Sequence, residues 1–266
     1  MTIVTTINGA VATIRIDRPE KLNALDVAHL YELRSALKQA SDNHAVRVLV
    51  LTGTGRAFCV GADLTASRDN ERSLAAAFGL PLSQAGDKGL YIRLFDLQTL
   101  EIRKPLIAAV NGFCLGGGLE LALQCDFIIA TEGSSFGLPE VVVSSLPGGG
   151  GVPSLLDAVP KGVARRMLLT GERIDANRAY QIGLVTDLCA DGDLEALIEN
   201  IATRVAGNGP IAVQLVKMIA SQSANMSKAQ AFQLSELAWG ILRDTEDRRE
   251  GRLAFSEKRQ PIYVGR

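Results

Sequence analysis

An α/β core built on a parallel sheet, followed by a helical C-terminal part, is what three observations predict for this 266-residue chain. The first elements read strand, helix, strand, a βαβ order that favours a parallel sheet covered on both faces. The strands Val46 to Leu51 and Phe127 to Ala130 are apolar runs with little alternation, as strands buried on two sides are. From Lys161 onward helical patterns dominate. They place a division near residue 200, with an α/β core over 1–200 and a helical region over 201–266 more suited to packing on a partner than to folding alone.

Taken in order, residues 2 to 17 read as a hairpin: Ile3 to Thr6, a turn at Asn8-Gly9, then Val11 to Ile16. Asn-Gly between β-branched runs is a strong hairpin signal. Residues 18 to 25 form a loop, and Asp26 is the expected N-cap of a helix from about Val27 to Ala40, whose Leu30, Leu33 and Leu37 share a face. Val46 to Leu51 is closed by Thr52-Gly53-Thr54-Gly55. Thr65 to about Lys88 is the least regular stretch and reads as a candidate lid. Pro105 to Val110 is a strand ending at Asn111-Gly112. Gly116, Gly117 and Gly118 then open a helical pattern in which Leu119, Leu121, Ala122 and Leu123 are apolar. Pro147 and Gly148 to Gly151 make a second glycine turn before a helix. Later helices are expected over 162–169, 176–181, 194–205, 210–220 and 226–242, with Pro210 in a first turn. Asp247 to Arg266 is a charged closing segment.

Composition excludes several function classes. A chain that is 47% hydrophobic and 21% charged buries a sizeable core. A formal net charge of -1 gives no electrostatic case for nucleic acid or an acidic membrane. Cys59, Cys114, Cys125 and Cys189 form no CxxC pair and read as small buried hydrophobes in a reducing compartment. No basic segment followed by an apolar core opens the chain, and the apolar run from Leu106 to Leu119 is too short to span a bilayer. The expected location is cytoplasmic.

Metal ligation is poorly supported, because His29 and His44 are the only histidines. Gly133-Ser134-Ser135-Phe136-Gly137 matches the G-x-S-x-G nucleophile elbow after a strand. Pro139 and the β-branched Val141 to Val143 follow it where a helix is required, and no histidine comes after His44 to act as the base, so the match is taken as chance. Two glycine turns and two carboxylates remain. Three glycines opening a helix leave backbone N–H groups unpaired and approachable, suited to an oxygen that becomes anionic. Glu120 falls in the first turn, where an acid also complements the helix dipole. Glu140 follows 20 residues later among apolar neighbours, which would raise its pKa into the range useful for proton transfer.

Four stretches resemble the crotonase, or enoyl-CoA hydratase/isomerase, superfamily. They are residues 18–25, Arg56 to Leu64, Ala109 to Gly112 with Gly116 to Glu120, and Phe136 to Glu140. Leu169 to Glu172, Gly183 to Val185 and Ala254 to Arg259 fit it too, so the likeness runs in order over nearly the whole chain. It implies the Clp protease/crotonase fold, a spiral of ββα units, with a C-terminal helical trimerisation region. Its shared chemistry is a thioester enolate held by two backbone N–H groups, which match Ala62 and Gly117. In the hydratases the two catalytic acids match Glu120, which activates water, and Glu140, which protonates the α-carbon. The likeness further implies coenzyme A contacts from Lys21, Leu22 and Ala24, from the backbone over Val60, Asp63 and Leu64, and from Phe255 and Lys258 of the same or a neighbouring subunit. Trimers or dimers of trimers are expected, with no cofactor beyond the coenzyme A of the substrate.

Two departures bear on substrate. Residues 65–104 are longer than in the compact hydratases, and Val152-Pro153-Ser154-Leu155 stands where these commonly carry Thr-Gln-Arg-Leu. The expected reaction is hydration of an α,β-unsaturated acyl-CoA. The alternatives are a Δ3-Δ2 isomerase, a dehydratase or lyase on an unusual acyl-CoA, a serine peptidase of the same fold, and an RNA-binding relative. The histidine count opposes the peptidase and the near-neutral charge opposes RNA binding.

Overall fold

The computed structural model describes residues 2–63, 65, 78–81, 84 and 91–266. Leu64 and most of the candidate lid lie outside the described residues.

The hairpin forms as β1 (Ile3–Asn8) and β2 (Val11–Ile16), in antiparallel register from Ile3 opposite Ile16 to Asn8 opposite Val11. Its two loop residues are Gly9 and Ala10, so the turn sits one residue later than expected and Asn8 is the last paired position. Asp26 caps α1 (Val27–Asp42) by accepting from the His29 N–H at 3.1 Å, and Leu30, Leu33 and Leu37 face the core.

Three successive strand pairs set the architecture: β3 (Val48–Gly53) and β4 (Ala57–Cys59), β5 (Leu106–Val110) and β6 (Phe113–Leu115), β7 (Phe127–Thr131) and β8 (Ser135–Gly137). The first of each pair joins a six-stranded sheet of order β1-β2-β3-β5-β7-β10, in which all but the β1–β2 pair are parallel. Its edge strand β10 is Asp187–Cys189. The second of each pair joins a four-stranded sheet of order β4-β6-β8-β9, with β9 at Ile174–Asp175. A chain that climbs by one strand in each sheet per unit is the expected ββα spiral. Its middle turn carries α2 (Gly117–Ala122), directly after β6.

Both faces of the larger sheet are covered at its centre, which is why β3 and β5 are buried at every position and lack polar alternation, while β2 nearer the edge alternates. Leu49 and Leu51 pack in the main core with Leu30, Leu33 and Leu37 of α1. Val48 and Val50 point the other way. There they meet Leu194, Ile198, Ala202 and Ala206.

Before that cover in the chain come α3 (Gly151–Ala158), α4 (Lys161–Thr170) and α5 (Ala176–Gln181), which pack into the main core. The covering helix is α6 (Leu194–Ala206). Residue 200 therefore falls inside a helix that belongs to the sheet, and the core reaches Ala206.

Beyond it lie α7 (Pro210–Ser223), α8 (Lys228–Arg243) and α9 (Glu246–Glu257). No helix was expected for the last of these. It is built almost entirely of polar residues and buries only Asp247 and Ala254, so it carries no apolar stripe for periodicity to register. Its N-cap is Thr245, whose side chain accepts from Arg248 N–H. Among the described residues no helix is long and apolar enough to cross a membrane.

Candidate active site

The site forms where the spiral brings the start of α2 against the loop after β4. Gly61 has φ +92, open to glycine at little cost, and a methyl group there would lie 2.7 Å from the Gly117 nitrogen. The two backbones are thus in contact, and Ala62 and Gly117 become neighbours. Leu25 fixes how Ala62 is turned: its N–H donates to Gly61 O at 2.8 Å, and its carbonyl accepts from Asp63 N–H at 2.9 Å. In such a parallel bridge the N–H of the middle residue, Ala62, faces away from Leu25. Gly117 is the first residue of α2, so its N–H has no partner within the helix.

Glu120 sits in the first turn of α2 and is 4% exposed. Its Oε1 accepts two backbone N–H groups, from Gly149 and Gly151, each at 2.8 Å. Burial pushes this carboxyl above its ordinary value, and the two N–H bonds pull it partly back. The Pro-Gly-Gly-Gly-Gly turn read from sequence is therefore a clamp on Glu120. That role went unforeseen, since nothing in linear order links 120 to 149 and 151.

Glu140 lies in a 3₁₀ turn over Pro139–Val143, immediately after β8. Its Oε1 is 3.2 Å from where a methyl group on Gly116 would sit, one residue before α2. Its Oε2 is buried and has no hydrogen-bond partner among the described residues. Burial raises its pKa to about 7, a hydrogen bond from its own backbone N–H pulls it partly back, and the charge of Glu120 pushes it up again. The two carboxyls thus interact across one site in different settings: Glu120 Oε1 is clamped by two peptide donors, while Glu140 Oε2 has no partner among the described residues. Such a difference divides acid from base.

Phe95, also unforeseen, packs against both glycine turns and walls this site. A methyl group on Gly117 would lie 2.5 Å from its ring, and one on Gly149 would lie 2.7 Å from its Cβ.

The other candidate residues fall into two groups. Residues 18–25 pack beside Ala62: Arg18 bridges to Asp63 at 2.9 Å and donates to Ala24 O, while Lys21 Nζ reaches Thr65 Oγ1 at 3.0 Å. Leu22 takes φ +50 at the end of its turn, Ala24 is buried, and Val60 is half-buried next to Gly61. Asp63 is held near 2 by hydrogen bonds from the Thr65 hydroxyl and N–H and from Arg18, so its carboxylate is engaged inside the loop. Phe255 and Lys258 are exposed on α9 and its cap. Phe255 lines a separate cavity of about 550 Å³ with Arg248, Arg252 and Tyr263. The elbow-like Ser135 lies in β8, paired with Phe113, and no α-helix follows it directly. Among the described residues no three His, Cys, Asp or Glu side chains are grouped to hold a metal.

Residues 6–266 match the enoyl-CoA hydratase/isomerase family. This chain belongs to that family. An (E)-benzylidenesuccinyl-CoA hydratase of Thauera aromatica is 38% identical over 269 residues, covering 100% of both chains. A 2,3-dehydroadipyl-CoA hydratase of Escherichia coli is 38% identical over 96% of each. Among solved structures, an enoyl-CoA hydratase of Bacillus anthracis superposes with a TM-score of 0.88 at 35% identity over 100% of both chains. The fold is the crotonase fold, and the chain is an enzyme of the hydro-lyase type.

Proposed function

We propose that this family member adds water across the α,β double bond of an acyl-CoA thioester, with Glu120 and Glu140 dividing the proton work. The observation that carries the reading is the asymmetry of the pair. Two N–H donors offset part of the burial that raises Glu120, whereas Glu140, without that pair of donors, is raised by burial to about 7. The thioester oxygen accepts from the N–H groups of Ala62 and Gly117, which gain most as its charge develops. Glu120 takes a proton from water, and the hydroxyl adds to the β-carbon. The enolate then takes the Glu140 proton at its α-carbon. Afterwards Glu120 is protonated and Glu140 ionised, and exchange with solvent resets them. Each transfer is assigned to a carboxyl and calls on no metal or redox group.

The coenzyme A reading rests on Lys21, Leu22, Ala24, Val60, Asp63 and Leu64. The hydrogen-bonded contact between residues 18–25 and the 61–63 backbone supports it, with Asp63 acting through its main chain. Phe255 and Lys258 would serve the site of a neighbouring copy. Self-association to a trimer or dimer of trimers is supported by the large apolar side chains that α8 leaves exposed, Phe232, Leu237, Trp239 and Ile241. Free cysteines and the absence of a charge suited to nucleic acid support a cytoplasmic enzyme of acyl-CoA metabolism. The test is loss of the conjugated-thioester absorbance of crotonyl-CoA on adding enzyme. Turnover of a 3-enoyl-CoA with no hydration of the 2-enoyl isomer would instead select the isomerase.

A further inference from the structure

We infer that Gln124 is a positioning residue that sets the distance between the Phe95 wall and the catalytic helix; the inference rests on the hydratase reading of the site. Gln124 lies just past α2 and is half-buried. Its single carboxamide makes three bonds. Oε1 accepts from Leu97 N–H at 2.7 Å, and Nε2 donates to Phe95 O at 2.8 Å and to Glu120 O at 2.9 Å. Both amide hydrogens and the oxygen are engaged, so the orientation of the group is fixed by its partners. One end of the triad is the main chain of Glu120, and the other is the turn that carries Phe95.

Phe95 transmits that spacing to the chemistry. Its ring lies against Gly117, the proposed thioester-oxygen donor, and its Cβ lies against Gly149, which donates to Glu120 Oε1. A shift of Phe95 relative to α2 therefore moves either the donor or the clamp. The far side of the same turn is tied independently. Arg34 of α1 is 7% exposed and donates to Leu94 O at 3.1 Å, to Asp96 O, and to Thr99 Oγ1 at 2.6 Å. Arg34 holds the turn to the body of the protein, so loss of Gln124 leaves the fold anchored and releases only the turn's tie to the helix. Small displacements of reacting groups carry large rate effects.

The experiment compares wild type with Gln124→Met, which keeps the stem and loses all three bonds, and with Gln124→Glu, which retains an acceptor for Leu97 N–H alone. Kinetics on crotonyl-CoA are paired with crystal structures of the variants. The expected result is a fall in kcat on the order of ten- to a hundredfold in both variants, with KM changed less than threefold. The structures are expected to show lengthened Gly149 N to Glu120 Oε1 contacts. A kcat within twofold of wild type in both variants overturns the inference, whatever the melting temperature does. If wild type hydrates none of the thioesters offered, the hydratase reading fails by itself. The structures then decide the positioning role, and an unmoved Phe95 and Gly149 would sink it.

Discussion

Gly151 donates its N–H to Glu120 Oε1 at 2.8 Å across 31 positions of chain. The approach is so close that a methyl group on Gly151 would lie 2.8 Å from the oxygen it serves and 2.9 Å from Pro147 Cβ. Gly151→Ala is therefore expected to push the Glu120 carboxylate off its donors. The predicted outcome is a fall in kcat of roughly a hundredfold, as for a 1 Å misplacement. Overpacking should also destabilise by about 1–3 kcal/mol. Steady-state kinetics and thermal melts read the two effects separately.

Glu120→Gln and Glu140→Gln each remove a proton-transfer partner but keep shape. Each is expected to lower kcat on crotonyl-CoA by roughly 10²–10⁴. Because the two serve one catalytic cycle and each depends on the other, the double variant should lose much less than the product of the single losses. Turnover near the wild-type rate in either single variant would refute the division of labour.

The pH profile follows from the pair. Hydration needs Glu120 ionised and Glu140 neutral, so the active form carries one proton on the two carboxyls. Glu140 is placed at about 7, so kcat/KM should fall as pH rises through about 7 and the pair loses that proton. Below the optimum a second proton reaches Glu120 and the rate falls again. Dehydration passes through the same proton count, so the profile measured with the 3-hydroxyacyl thioester should have the same two limbs. These limbs belong to the coupled pair. A flat alkaline side up to pH 9 would contradict the placement of Glu140.

Much of this frame was legible because the signals were local. Asn8-Gly9 marked a hairpin, Asp26 marked a helix start, and the apolar strands announced a doubly covered sheet. The two glutamates stood out because each follows a glycine turn or an apolar strand. What stayed hidden depends on contacts distant in sequence. The clamp of Gly149 and Gly151 on Glu120, and Phe95 against Gly117, arise only when the spiral stacks its units. The helix α9 carries no signal of that kind for another reason: its residues are mostly polar and only Asp247 and Ala254 are buried, and periodicity reads only apolar faces.

The exposed apolar side chains of α8 make a prediction about assembly. Trp239 is 55% exposed and Leu237 69%, both large for a solvated helix. Replacing both with Glu is expected to shift the protein to a smaller species in analytical ultracentrifugation with its helix content intact. An unchanged sedimentation coefficient, for wild type and variant alike, would remove α8 from any interface between copies.

Asp63 supplies a last prediction, on acid stability. Its Oδ1 accepts from Thr65 N–H at 2.9 Å and from the Thr65 hydroxyl at 2.7 Å, and its Oδ2 meets Arg18 at 2.9 Å. These donors hold it at about 2, below its ordinary 3.8. A folded-state pKa below the unfolded one gives stability that is fully present above about pH 4 and is lost as pH falls through about 2. Asp63→Asn removes that contribution at every pH, at a cost of about 2 kcal/mol, as for hydrogen bonds to a charged group. The gap in melting temperature between wild type and Asp63→Asn should therefore be widest at pH 6 and shrink toward pH 2. A gap that stays constant over that range would mean that the carboxylate's charge contributes nothing to holding the 18–25 loop against Ala62.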